Sequence, residues 1–100
     1  MNAQLKKGVL SLCVLSRLNQ KDSYGYDIYQ AIDKVLGISE STIYPILRKM
    51  EHGGYLETYL KASPEGPARK YFKITDKGRR QLDALSAEWE QFVGRIHQLI

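Results

Sequence analysis

One hundred residues make one domain, large enough for a single hydrophobic core but marginal as an isolated unit. Apolar residues form 43% of the chain, so it should fold rather than stay disordered, and no run of about 18 apolar residues offers a membrane span. Fifteen Lys and Arg against eleven Asp and Glu give a net charge of +4, modest support for a polyanionic partner.

The first apolar run follows Lys6 and Lys7. It carries no small-residue cleavage pattern and is followed by Arg17 and Lys21. It reads as a folded helix from about Leu5 to Leu18 rather than a signal peptide. Val9, Leu10, Leu12, Cys13, Val14 and Leu15 leave almost no polar face, so this helix must be buried all round. In so short a chain that need predicts a second subunit, with Leu10 and Val14 in the contact. Cys13 is the only cysteine. It can form no disulfide within the chain, which fits a reducing cytoplasm, and it reads as an inert buried thiol.

Asn19 to Asp22 reads as a turn, with Asp22 or Ser23 capping a helix from about Tyr24 to Leu36. Tyr24, Ile28, Ala31, Ile32 and Val35 form its inner stripe. Gly37 suits the left-handed position that ends a helix. Ser39 then caps a third helix, Glu40 to about His52, which Gly53-Gly54 stops. Two helices joined by a tight, Gly-containing turn suit a helix-turn-helix. At 100° per residue, Ile43, Ile46, Leu47 and Met50 share the inward face of the third helix. Ser41, Tyr44, Pro45, Arg48, Lys49 and His52 lie around the other face. A hydroxyl, a phenol and two cations there can donate to phosphates and base edges. Pro45 conflicts with a helix because it removes a backbone hydrogen bond and favours a kink, but its place near the start limits the damage.

Leu56, Thr58 and Leu60 alternate with Glu57, Tyr59 and Lys61, and Phe72 and Ile74 alternate with Tyr71 and Lys73. Both segments have strand period, with Ser63-Pro64-Glu65-Gly66-Pro67 as the turn between them. Arg69 and Lys70 flank its tip, where cations can reach a phosphate or the minor groove. Residues 39–75 hold six cations against four carboxylates, while residues 76–100 are balanced at four each. A last helix starts at Thr75 or Asp76. Leu82, Leu85, Trp89, Phe92, Ile96 and Leu99 recur at spacings of three and four, a heptad seam that expects another helix beside it. The expected fold is therefore mainly α with a small β-hairpin. Residues 1–75 form a winged helix-turn-helix and residues 76–100 a C-terminal dimerisation helix.

Catalysis is not expected: there is no glycine-rich phosphate loop, G-x-S-x-G elbow or H-E-x-x-H pattern. His52 and His97 lack companions at zinc-ligand spacing, so no metal or cofactor is expected either.

The order Tyr24-Gly25-Tyr26-Asp27-Ile28, Ser41-Thr42-Ile43-Tyr44-Pro45-Ile46-Leu47, Leu56, and Arg69-Lys70-Tyr71-Phe72-Lys73-Ile74-Thr75 with Gly78 resembles the PadR family of bacterial transcriptional regulators. The single short C-terminal helix is similar to that of the small, LmrR-like subfamily. The resemblance implies a winged-helix DNA-binding body and a homodimer made through the terminal helices. Paired recognition helices about 34–36 Å apart expect an inverted-repeat operator in double-stranded DNA, and the lone cysteine and missing apolar run expect a cytoplasmic protein with no membrane partner. Ser41, Thr42, Tyr44, Arg48, Lys49, Arg69 and Lys70 are the DNA contacts expected. Dimerisation would run through Leu10, Val14, Leu82, Leu85, Trp89, Phe92, Ile96 and Leu99. The resemblance also implies repression relieved by a planar aromatic molecule stacked on the tryptophan of the last helix, here Trp89. Two roles stay open for Trp89, ligand stacking and plain seam packing. The alternative function is a winged-helix module that binds a protein or sequesters a ligand without specific DNA binding; Arg48, Lys49, Arg69 and Lys70 argue against it.

Overall fold

The computed structural model describes residues 3–100, with side chains from Val9 onward; the side chains of Leu5, Lys6 and Lys7 lie outside that description. Four helices and three strands run α1 (Ala3–Gln20), β1 (Ser23–Tyr24), α2 (Gly25–Leu36), α3 (Glu40–His52), β2 (Leu56–Ser63), β3 (Gly66–Ile74) and α4 (Asp76–His97).

The helix that had to be buried all round is the central one. It packs against α2, α3, β3 and α4 of its own chain. Leu10, Val14, Leu15 and Leu18 join Ile28, Ile43, Leu47, Leu56, Phe72 and Ile74 in one core. Leu10 and Val14 are 0% exposed without a second subunit. The expectation that they form a dimer contact is thus corrected: the chain's own later elements wrap the helix. Cys13 lies half-buried at the edge of this core, where burial pushes its thiol pKa up.

Sequence reasoning expected a two-stranded ribbon. The sheet has three strands in the order β1-β3-β2, because Ser23 and Tyr24 pair antiparallel with Phe72 and Tyr71. Ser23 is consequently not a helix cap. It is buried, and its hydroxyl donates to the Lys21 carbonyl at 3.2 Å. Tyr24 occupies the position before α2 without a side-chain capping bond. Val35 also departs from expectation, being 79% exposed. It keeps the angle of the inner stripe but stands at the rim of a cleft against α1, near the end of α2.

The helix-turn-helix joint is well satisfied. Gly37 has φ 64°, the left-handed conformation that glycine adopts without penalty. Its amide donates to the Asp33 carbonyl at 2.8 Å, and the Asp33 carboxylate accepts the Ile38 amide at 2.9 Å. Ser39 sits at the cap position of α3, but its hydroxyl bonds the Ser41 and Thr42 hydroxyls at 2.9 and 3.1 Å rather than a backbone amide. The helix continues through Pro45.

The ribbon is longer than its sequence period suggested, since Ser63, Gly66 and Pro67 belong to the strands. Leu56 faces Ile74, Thr58 faces Phe72 and Leu60 faces Lys70. Thr75 caps α4, its hydroxyl accepting the Gly78 amide at 3.0 Å. The seam on α4 then divides. Leu82 is 8% exposed within the chain's own core, and Leu85 packs half-buried against it. Beyond Trp89, Phe92 is 51% exposed, Ile96 39% and Leu99 84%. Leu82 is thus satisfied within its own chain, whereas Leu85 keeps part of its side chain open.

Candidate nucleic-acid interface

Helix α3 carries a narrow exposed stripe. Ser41, Pro45, Arg48, Lys49 and His52 are all exposed, and all fall within about 100° of arc at the helical period. Among the described residues no ion pair ties down Arg48 or Lys49. The buried edge, Ile43, Leu47 and Met50, fixes the helix to the body. The stripe therefore presents two unpaired cations and a hydroxyl on a rigid rod, the chemistry that meets phosphates and base edges. Thr42 is half-buried beside it.

Tyr44 does not share that stripe. Its ring packs on α2, so close that a Cβ on Gly25 would lie 2.8 Å from the Tyr44 ring. The missing side chain of Gly25 lets α2 and α3 approach and half-buries the phenol. Burial pushes its pKa up, with Glu40 adding to the shift.

The ribbon has two different faces. On the face toward α3, Lys70 Nζ donates to Glu51 Oε1 at 3.1 Å, and the Thr58 hydroxyl donates to Glu51 Oε2 at 3.0 Å. The Lys70 bond, with Thr58, holds the Glu51 carboxyl below its ordinary pKa. Lys70 is thus engaged with the end of α3 rather than placed at the turn. On the other face Tyr24, Tyr71 and Tyr59 form a ladder across the three strands, with ring centroids 5.8 and 5.7 Å apart. Arg69 lies 4.7 Å from the Tyr24 ring centroid and Lys61 5.0 Å from that of Tyr71. Tyr59 donates to Asp22 at 2.7 Å, which pushes the phenol pKa up. The sequence period assigned these residues to faces; Lys61, Glu51, Thr58 and the tyrosine ladder escaped notice as members of the site because only the strand register brings them together.

Trp89 stands half-buried on α4, 6.2 Å from the Phe92 ring at a tilt of 34°. The first three helices, a left-handed glycine in the turn between α2 and α3, and a basic, aromatic-backed ribbon make up a winged helix-turn-helix, with α4 following it. Residues 14–84 match the transcriptional regulator PadR-like family.

The chain belongs to the PadR-like family. A crystal structure of a PadR-like transcriptional regulator from Bacillus cereus superposes with a TM-score of 0.89, at 38% identity over 97% of this chain and 96% of that one. A Streptococcus mutans structure gives 0.87 at 40% identity, covering 93% and 87% of the two chains. An uncharacterized protein of Lysinibacillus sphaericus is 30% identical over 95 residues, 91% of this chain and 87% of that one. PadR-like proteins are DNA-binding transcriptional regulators, not enzymes, so the mainly helical fold with its winged helix-turn-helix has the role its frame suggested. No described helix is long and apolar enough to cross a membrane, and the described residues gather no cluster of three metal ligands.

Proposed function

We propose that this PadR-like regulator is a homodimeric repressor of the LmrR-like kind, working in the cytoplasm on an inverted-repeat operator. The exposed stripe on α3 carries the reading. Arg48 and Lys49 are its base readers, Ser41 and Thr42 its hydroxyl donors. Arg69 and Lys61 supply the cations of the ribbon, with Tyr44 a flanking phosphate contact through its hydroxyl. Lys70 holds the ribbon to α3. The exposed row Phe92, Ile96 and Leu99 on α4 is the seam for the second subunit, since apolar surface of this kind gains most from a matching copy. Such a pair would set the two α3 helices about 34–36 Å apart, one turn of DNA.

Trp89 and Phe92 are the aromatic surface on which a planar ligand stacks when two copies meet. The ligand releases DNA only by favouring one dimer geometry over another. Selection of bound fragments from random duplex DNA, followed by gel shifts at several salt concentrations, tests the DNA reading. Inverted repeats support it, and binding without sequence preference or salt dependence defeats it. Trp89 is the only tryptophan, so its fluorescence reports the ligand directly. Binding of a quenching planar aromatic that survives Trp89→Ala unchanged, measured by calorimetry because the variant has no tryptophan, would return this residue to seam packing.

A further inference from the structure

The end of α3 and the start of α4 are bonded to one another, with no free loop between the two surfaces. Lys77 Nζ donates to the Gly53 carbonyl at 2.7 Å and lies 4.6 Å from the Tyr55 ring centroid. The Thr75 amide donates to the Tyr55 carbonyl at 3.1 Å. The Thr75 hydroxyl lies 2.7 Å from the Gly54 carbonyl and 3.0 Å from that of Tyr55. The same oxygen accepts the Gly78 amide. Gly78 is buried, and a Cβ there would strike the Tyr55 carbonyl and come within 2.7 Å of Ile74 Cγ1. Carbonyls at a helix C-terminus have no partner inside the helix, and a cation there also gains from the helix dipole. The first turn of α4 supplies both.

We infer that Thr75 and Lys77 are positioning residues that lock the DNA-reading helix to the seam helix, so that the geometry of the seam fixes the spacing between the two α3 helices. The inference rests on the dimeric DNA-binding reading above and adds how that dimer measures its operator. Neither residue lies on the exposed stripe of α3 or on the exposed part of the seam. A rigid link makes the pair accept one half-site separation. One inserted base pair shifts a half-site by about 3.4 Å and turns it by about 35°. Either the DNA deforms or one helix loses its groove.

The test measures affinity of the full chain for inverted repeats that share half-sites and differ in spacer length by single base pairs. The wild type should prefer one spacer over its neighbours by about tenfold, the cost of deforming the DNA. Lys77→Met, a surface change that leaves the core intact, and Thr75→Val should cut that preference to about threefold or less, while sedimentation still shows a dimer. Thr75→Ser keeps the hydroxyl and should restore the wild-type profile. A spacer preference unchanged in both Lys77→Met and Thr75→Val overturns the inference. So does uniform weakening at every spacer with a salt slope lower by about 0.9, which would make Lys77 a phosphate contact. A wild type that is monomeric, or indifferent to spacer length, defeats the dimeric reading itself and this inference with it.

Discussion

Replacing Phe92 by alanine separates the two halves of the α4 seam. Phe92 is 51% exposed in the single chain. A phenylalanine presents about 200 Å² at most, so roughly 100 Å² awaits a partner. At about 25 cal/mol per Å² its burial is worth about 2.5 kcal/mol, of which the alanine methyl retains a little. A twofold axis doubles the remaining loss to about 4 kcal/mol per dimer. That is roughly a thousandfold rise in the dimer dissociation constant. Alanine favours helix more than phenylalanine, so α4 itself should not weaken. Leu82→Ala is the counterpart. Leu82 lies in the chain's own core, 8% exposed. Its truncation should cost about 2–5 kcal/mol of folding stability and lower the melting temperature of every species. Sedimentation equilibrium across a concentration series gives the dissociation constant, and circular dichroism shows whether the fold persists. A Phe92→Ala protein that dimerises as tightly as the wild type would refute the division of the seam. So would a Leu82→Ala protein that melts normally but dissociates.

The ribbon and the α3 stripe should differ in their response to salt. Arg48→Ala should relax the sequence preference with little change in the slope of log affinity against log salt, whereas Lys61→Ala should flatten that slope by about 0.9 and Lys70→Ala, already paired with Glu51, by clearly less; equal slopes in all three would undo the division of labour. The Glu51–Lys70 pair is half exposed, so a double-mutant cycle with Glu51→Gln and Lys70→Met should give a coupling of only about 0–1 kcal/mol. Its pH dependence follows from the lowered pKa of Glu51. The contribution is present above the unfolded value and is lost as the pH falls through the lower folded value. Acid titration of the Glu51 carboxyl by NMR should therefore show a midpoint below the ordinary glutamate range, moving up in Lys70→Met. Gly78→Ala should force the Thr75–Tyr55 junction apart at a cost of about 1–3 kcal/mol, roughly 4–8 °C in melting temperature for each kcal/mol in a domain of this size; an unchanged melting curve would mean that the backbone yields freely.

Much of the frame is legible in the residue order because it is written in local signals. Gly37 ends α2 where a left-handed residue is needed, the start of α4 falls at Thr75 or Asp76 as the residue order suggests, and alternation marks β2 and β3. The exposed stripe of Arg48 and Lys49 follows from helical angle alone. What stayed hidden depends on residues far apart in the chain. β1 is two residues long, too short to show a period, and exists through its pairing with Tyr71 and Phe72. The helical wheel puts Tyr44 off the buried face, but it knows nothing of the neighbour that approaches through Gly25. Hydrophobicity all round α1 shows that something must cover it, not that the same chain does. Lys70 looks like a solvated cation until the strand register sets it against Glu51.

The ribbon also bears on how the protein behaves when concentrated. It projects two strand edges that no other strand covers along most of their length, since β1 meets β3 only at Tyr71 and Phe72. Such edges invite pairing with another ribbon, and with it amyloid-like growth. Three features oppose that. Pro67 interrupts the donors of β3 near the turn. The register slips between Lys61 and Ser63, so the ribbon is not a flat template. Lys61 and Arg69 face each other across the strands and set like charges against any second copy laid alongside. The cations that suit a ribbon to a polyanion thus also act as gatekeepers against self-association, and neutralising both would exchange a soluble ribbon for a sticky one.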